Sequence, residues 1–265
     1  MYCDAYRRLC GSALAKISLY FRNPRGYIIS SMVAGMFITF GSMVALSIGG
    51  LLTPLMGGAA KIIAAIAFSS ALSLAMMAGC ELFTGNNLVL SAAAWEKKIS
   101  WRMAWMLWLV NWLGNLVGTW ILIGLYNLSG ANVMADAVAY FHTVASAKVA
   151  LGPLEMVIRG ILCNICVCLA IWCGVRMKSE SGKLIMIIWC ILIFMVCGFE
   201  HSIANMSIIG IAMVNQVTGV TAEVLGTLST ELTWAGYGIN LFFVTIGNIL
   251  GAMFFVTLPY QKMRH

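Results

Sequence analysis

Two segments of this chain carry the residues that could do chemistry, and they read as copies of one another. Gly79-Cys80-Glu81-Leu82-Phe83-Thr84-Gly85-Asn86 is answered by Gly198-Phe199-Glu200-His201-Ser202-Ile203-Ala204-Asn205, with Gly, Glu and Asn at the same spacing 119 residues apart. Glu81 and Glu200 could form a path for protons or cations, or each could accept hydrogen bonds from the loop that follows it. Identical placement in both copies favours the second role, a brace. His201 has no counterpart, because Leu82 stands in its place. A titratable ring in only one of two matched loops points to hydrogen bonding or proton transfer at a passing ion rather than to core packing. Thr84 is its natural hydroxyl partner from the opposite loop. Cys163, Cys166 and Cys168 suggest metal or redox chemistry at first sight. On one helix they point in different directions, and no His or second cysteine pair joins them, so they read as small packing residues. Neither a metal nor a cofactor is expected.

The elements that must position these groups are membrane helices. The 265 residues are 62% hydrophobic and 9% charged, far too apolar for a soluble domain, which is about a quarter charged. Runs long enough to cross about 30 Å of hydrocarbon cover roughly 27–51, 62–90, 103–126, 154–175, 184–214 and 232–259. The second and fifth are the interrupted ones. The first twenty residues lack a compact apolar stretch ending in a small-residue cleavage site, so they are expected in the mature protein.

Orientation follows from the basic residues. Arg7, Arg8, Lys16, Arg22, Arg25, Lys97, Lys98, Arg102, Arg176, Lys178, Lys183, Lys262 and Arg264 all fall on one side of this topology. Lys61 and Lys148 fall opposite, and Arg159 lies inside a span. The positive-inside rule then places both termini in the cytoplasm. The same bias accounts for the net charge of +7. Nucleic-acid binding is disfavoured, because no basic cluster is interleaved with a soluble recognition fold. Ahead of the first span, Tyr2, Tyr6, Leu9, Ala13, Ile17 and Tyr20 recur at helical spacing, with Arg7 and Arg8 off the stripe and Lys16 at its edge. This predicts a helix over 1–22 lying in the membrane surface, with its apolar face toward lipid and Lys16 snorkelling, as an anchor first and a gating element over the cytoplasmic mouth second.

A second repeat supports the first. Leu113-Gly114-Asn115-Leu116-Val117-Gly118 matches Ile246-Gly247-Asn248-Ile249-Leu250-Gly251, and Asn23-Pro24 and Gly152-Pro153 open the two halves. Three spans are thus repeated by three more. An odd number per repeat inverts the second copy relative to the first. The fold class expected is all-α integral membrane, with a six-helix domain over 23–265 and repeats of about 23–130 and 150–260. Unwound backbone at membrane depth is tolerated only where protein or a water-filled cavity satisfies it. The run Thr84-Gly85-Asn86-Asn87 reads as turn and cap, with Asn86 and Asn205 capping half-helices whose N-termini carry partial positive charge.

These motifs resemble those of the formate/nitrite transporter family across essentially the whole chain. Within it the likeness is greatest to the bacterial hydrosulfide channel branch, then to the nitrite channel branch, on Cys163-Asn164 and Cys168-Leu169-Ala170-Ile171-Trp172 among others. The resemblance implies an aquaporin-like fold, a homopentamer with one pore per protomer, and residence in the bacterial inner membrane. It further implies Thr84 and His201 as the central polar pair, Phe68, Leu72, Leu82 and Phe194 as apolar constrictions, Lys148 as the source of positive potential, and Asn164 as a pore-lining amide. Gly85, Glu81, Glu200, Asn86 and Asn205 shape the loops. The function expected is a channel for small monovalent anions, with hydrosulfide first, then nitrite or formate, and chloride also possible; proton coupling stays open. A neutral-solute channel of the aquaporin kind should show paired Asn-Pro-Ala loops and an arginine filter, which neither loop has. An intramembrane enzyme would need an acid, base or metal partner that His201 lacks in sequence.

Overall fold

The computed structural model describes residues 2–226 and 230–263. Arg264, counted above among the basic residues, lies outside them. Among the described residues the protein is all-helical. The first half comprises α1 (Cys3–Arg22), α2 (Pro24–Met56), α3 (Ala60–Leu74), α4 (Phe83–Trp95) and α5 (Trp101–Leu128). The second comprises α6 (Ala135–Val149), α7 (Pro153–Arg176), α8 (Glu180–Val196), α9 (Ser202–Val217), the short α10 (Val220–Leu225) and α11 (Trp234–Leu250). A π-helical stretch, Gly251–Thr257, carries α11 on into α12 (Leu258–Met263).

Four continuous helical stretches are long and apolar enough to cross a membrane: Pro24–Gly79, Trp101–Leu128, Pro153–Arg176 and Trp234–Met263. The first contains both α2 and α3, which turn back on each other at Gly57, whose φ is +56°. The second and fifth apolar runs are each two shorter helices: α3 with α4, and α8 with α9. Prolines start α2 and α7 at their first turns, where the missing amide hydrogen is not needed.

The repeated Gly-Asn motifs explain how the halves pack. On α5, a Cβ at Gly118 would run into the Met32 carbonyl of α2, and one at Gly114 would strike Ser31. Gly247 on α11 and Gly251, which opens the π-helical stretch after it, stand against the carbonyls of Val157 and Ile161 on α7 in the same way. Lipid supplies no hydrophobic force between helices, so association relies on this close backbone approach. The glycines recur because each half holds its first and third spans together by one device.

The N-terminal helix departs from expectation. Its apolar stripe faces protein rather than lipid: Ala5, Tyr6, Leu9, Cys10 and Ala13 are buried, and α1 packs on α4, α2 and α7. An aromatic cluster holds it there, with the Tyr2 and Tyr260 rings 5.8 Å apart, Trp172 stacked on Tyr260 at 4.1 Å, and Tyr6 edge-on to Trp172 at 6.3 Å. Arg176 lies over the Tyr2 ring at 5.4 Å. Lys16 does not snorkel; it turns inward, as described next.

Candidate ion pathway

Each broken helix ends its first segment on a glycine in the left-handed region, Gly79 (φ +79°) and Gly198 (φ +72°). A side chain there would be strained. The chain then runs extended through Leu82 and His201 before α4 and α9 begin. The extended pieces are pinned to the first span of their own half: Glu81 N–H donates to the Ser30 carbonyl (3.3 Å), and Glu200 N–H to the Arg159 carbonyl (3.2 Å). Asn115 and Asn248 then fill matching gaps. Phe83 N–H donates to Asn115 Oδ1 (3.0 Å), whose Nδ2 donates to the carbonyls of Ser31 (2.6 Å) and Glu81 (3.0 Å). Ser202 N–H donates to Asn248 Oδ1 (2.9 Å), whose Nδ2 donates to the carbonyls of Gly160 (2.8 Å) and Glu200 (3.0 Å). An amide side chain suits this place because it is donor and acceptor at once.

The glutamates are buried, and each is held twice. Glu81 accepts from Asn86 Nδ2 (2.7 Å) and from Lys16 Nζ at 2.7 Å and 2.8 Å. Glu200 accepts from Asn205 Nδ2 (2.6 Å) and from Lys148 Nζ (2.9 Å). Asn86 and Asn205 also donate to Asn111 Oδ1 and Asn240 Oδ1. A carboxylate so surrounded by donors is a structural anchor, and its ion pair offsets its desolvation. The α1 and α6 helices thereby gain equivalent roles, each delivering one lysine to the glutamate of its own half.

Two sequence expectations change here. Asn86 and Asn205 serve the glutamates and do not cap helix ends; the amide nitrogen of Ala204 is capped by His201 Nδ1 instead (3.0 Å). Gly85, Asn86 and Asn87 lie inside the first turn and a half of α4, and the unwound stretch falls earlier, between Gly79 and Leu82. A Cβ at Gly85 would meet only the terminal methyl of Ile171, a side chain that can shift.

His201 and Thr84 meet as expected, with Nε2 and Oγ1 3.0 Å apart and both side chains buried. Because Nδ1 accepts the Ala204 amide, the neutral ring carries its proton on Nε2 and donates to Thr84. The Thr84 hydroxyl keeps its own proton to offer. Beside this pair is a chamber of about 10 Å³ lined by Phe68, Leu72, Leu82, Ile191, Phe194 and His201, among others. Phe194 stacks on the imidazole with centroids 6.1 Å apart, and Phe68 meets Phe194 edge-on at 6.0 Å. All four residues expected at the constrictions are therefore here.

Larger cavities stand apart from it. One of about 390 Å³ lies beneath α1, bounded by Leu72, Leu82, Lys16 and Glu81. Another of about 420 Å³ lies beside α6, bounded by Lys61, Lys148, Arg159 and Glu200. Lys148 lines this second cavity, tied to Glu200, and not the chamber beside His201 and Thr84. Asn164 lines neither the chamber nor the two vestibules. It is fully buried behind Thr84, donating to the carbonyls of Thr84 (3.3 Å) and Asn248 (2.7 Å) and to Asn87 Oδ1 (3.3 Å), so it positions the threonine from behind. Sequence reasoning missed Lys16, Asn111 and Asn240 as partners of the glutamate networks. The available signal was that Lys16 and Lys148 each precede the proline that opens a half.

Two matched broken helices that meet at one polar pair between two vestibules define a membrane transport protein. The family model described as formate/nitrite transporter matches residues 4–261. The nitrite transporter NirC of Escherichia coli (strain K12) is 34% identical over 260 residues, covering 98% of this chain and 91% of that one. The formate channel FocA of the same strain is 35% identical over 211 residues, covering 77% and 74%. Among solved structures, one described as an FNT family ion channel superposes with a TM-score of 0.88 at 32% identity, covering 98% of this chain and 99% of that one. A pentameric formate channel with formate bound gives 0.82 at 28% identity, covering 90% and 96%. The chain belongs to the formate/nitrite transporter family, a family of transporters and channels rather than enzymes.

Proposed function

We propose that this protein conducts small monovalent anions through a pore in each protomer of a homopentamer, with six spans and both termini on the cytoplasmic side of a bacterial inner membrane. The observation that carries this reading is the His201–Thr84 pair beside an apolar chamber of about 10 Å³, with a larger cavity that holds a lysine–glutamate pair in each half of the repeat. A space that holds about one water cannot pass an ion with its hydration shell. Apolar rings there close to hydrated ions by dewetting. His201 lines the chamber, and its Nε2–H, which in the resting protein donates to Thr84, is the hydrogen that turns to a passing ion, with the Thr84 hydroxyl behind it as the second. Donors so placed suit an anion. Glu81 and Glu200 are each paired with a lysine, so neither presents an uncompensated negative charge to a cation.

The nitrite and formate relatives support those two anions, nitrite with coverage of nearly the whole chain. Hydrosulfide, expected first from the sequence resemblance, shares their chemistry as a small, singly charged conjugate base and stands as a third substrate. The test is flux into proteoliposomes carrying the purified chain, with nitrite, formate, hydrosulfide and chloride compared side by side. Nitrite or formate crossing well above the rate of empty vesicles is the expected result. No anion crossing faster than in empty vesicles would refute the channel reading.

A further inference from the structure

The two vestibules are related by the inverted repeat, yet their charges differ. Under α1 the charged lining residues are Lys16 and Glu81, which pair with each other; the exposed Arg8 donates to the Val175 carbonyl at the rim (3.0 Å) but is not part of the lining. Beside α6 they are Lys148 and Glu200, which also pair, together with Lys61 and Arg159. The extra arginine occupies a matched position. Ser30 and Arg159 are the residues whose carbonyls accept the amides of Glu81 and Glu200, so they are structural counterparts. A neutral hydroxymethyl on one side is a guanidinium on the other. Arg159 reaches the mouth of the second break, with Nη1 3.5 Å from the Gly198 carbonyl. Lys61 sits nearby, donating to the Val196 carbonyl at the end of α8 (2.8 Å). Glu155 lies 4.0 Å from Arg159, but it is half-exposed and does not line the vestibule.

We propose that Arg159, seconded by Lys61, makes the α6-side vestibule the anion-collecting end of the pore. Arg159 acts as a selectivity residue through its charge. This rests on the anion-channel reading above. A low-dielectric cavity with unbalanced positive charge concentrates the field and raises the local anion concentration. A balanced cavity does not. By the bias of the basic residues, the α6 side faces away from the cytoplasm, so anions are gathered more readily from outside than from within.

Planar bilayer recordings with nitrite test this, with the orientation of insertion fixed by protease removal of an N-terminal tag. At about 0.15 M salt, where a screening length of about 8 Å leaves the vestibule charges effective but screens the basic residues elsewhere on the cytoplasmic face, current carried by nitrite entering from the α6 side should exceed the reverse by about threefold or more. The ratio should fall toward one near 1 M salt, where the screening length drops from about 8 Å to about 3 Å. Arg159→Gln should remove most of the asymmetry while nitrite still crosses. Ser30→Arg should raise current from the α1 side, and Arg159→Lys should keep the wild-type ratio. Size-exclusion profiles confirm that each variant keeps its assembly. An unchanged ratio in Arg159→Gln overturns the proposal. So does a loss in Arg159→Lys equal to that in Arg159→Gln, because the hold on the Gly198 carbonyl, not charge, would then be the cause. A wild-type protein that passes no anion refutes the channel reading itself.

Discussion

Replacing Thr84 with Val isolates what the central pair contributes. Valine matches threonine in shape, so the 0% exposed site keeps its packing and loses only the hydroxyl. Two consequences follow. The Nε2–H of His201, now 3.0 Å from a hydroxyl, loses its acceptor. A passing anion also loses one of the two donors proposed for it, beside a chamber of about 10 Å³ that leaves no room for water to substitute. A hydrogen bond to a charged group is worth about 1.5–3 kcal/mol, and each 1.4 kcal/mol on a barrier is about tenfold in rate. The orphaned imidazole hydrogen binds the ion somewhat more strongly in return, which removes part of that effect. Flux should therefore fall by about tenfold or more. Stopped-flow nitrite uptake into proteoliposomes measures it, with Thr84→Ser as the control that restores a hydroxyl and should stay within a few-fold of wild type. Thr84→Val flux within twofold of wild type would refute the claim that the hydroxyl serves the ion.

The framework around the pair yields stability predictions. Asn248→Ala leaves Ser202 N–H and the carbonyls of Gly160 and Glu200 without their partner. At about 1–3 kcal/mol for each buried group left unpaired, thermal unfolding in detergent should drop by at least several degrees, and an unchanged melting temperature would contradict the bracing role. Gly118→Ala drives a methyl into the Met32 carbonyl and should destabilise by about 1–3 kcal/mol, whereas Gly124→Ala on the same helix meets open space and should be neutral or stabilising. Melting curves of the two variants separate steric contact from helix propensity. Lys16→Met strands the Glu81 carboxylate, which is 6% exposed, and should destabilise by about 2–4 kcal/mol because Lys16 is itself partly exposed. The double variant with Glu81→Gln should recover most of the loss, since the charge that needed compensation is gone.

Much of this arrangement was legible in the sequence because the repeat wrote it twice. Gly79 and Gly198 announced the breaks, and the unmatched His201 with Thr84 announced the centre. The four apolar residues that the family resemblance implies as constrictions all line one chamber beside His201. What stayed hidden shares one cause: hydrogen-bond direction is not encoded in spacing. Asn86 looked like a cap because asparagine beside a helix start usually is one, but a buried carboxylate five residues earlier is a stronger acceptor for its amide. Periodicity showed that α1 has an apolar face without showing what covers it. The aromatic stack of Tyr2, Tyr260 and Trp172 joins residues from both ends of the chain, and no local pattern reveals it. The resemblance makes Lys148 the source of positive potential, yet its charge is matched by Glu200, a partner 52 residues away.

The symmetry assigns the work of the fold. Whatever is duplicated is framework: the positive-φ glycines, the asparagines that mend each break, the lysine–glutamate pairs and the glycines that let spans touch. These contacts satisfy unwound backbone at membrane depth, where an unsatisfied group costs several kcal/mol. They must therefore be made twice in a protein with two breaks. Whatever is not duplicated is free of that demand and can be turned to the ion. Leu82 opposite His201 puts one hydrogen-bonding ring in an otherwise apolar ring of side chains. Ser30 opposite Arg159 puts charge in one vestibule and not the other. A pore with two identical halves would treat both membrane faces alike. The departures from symmetry, few enough to name, are where the proposed preference for anions and the proposed difference between the two membrane faces must reside.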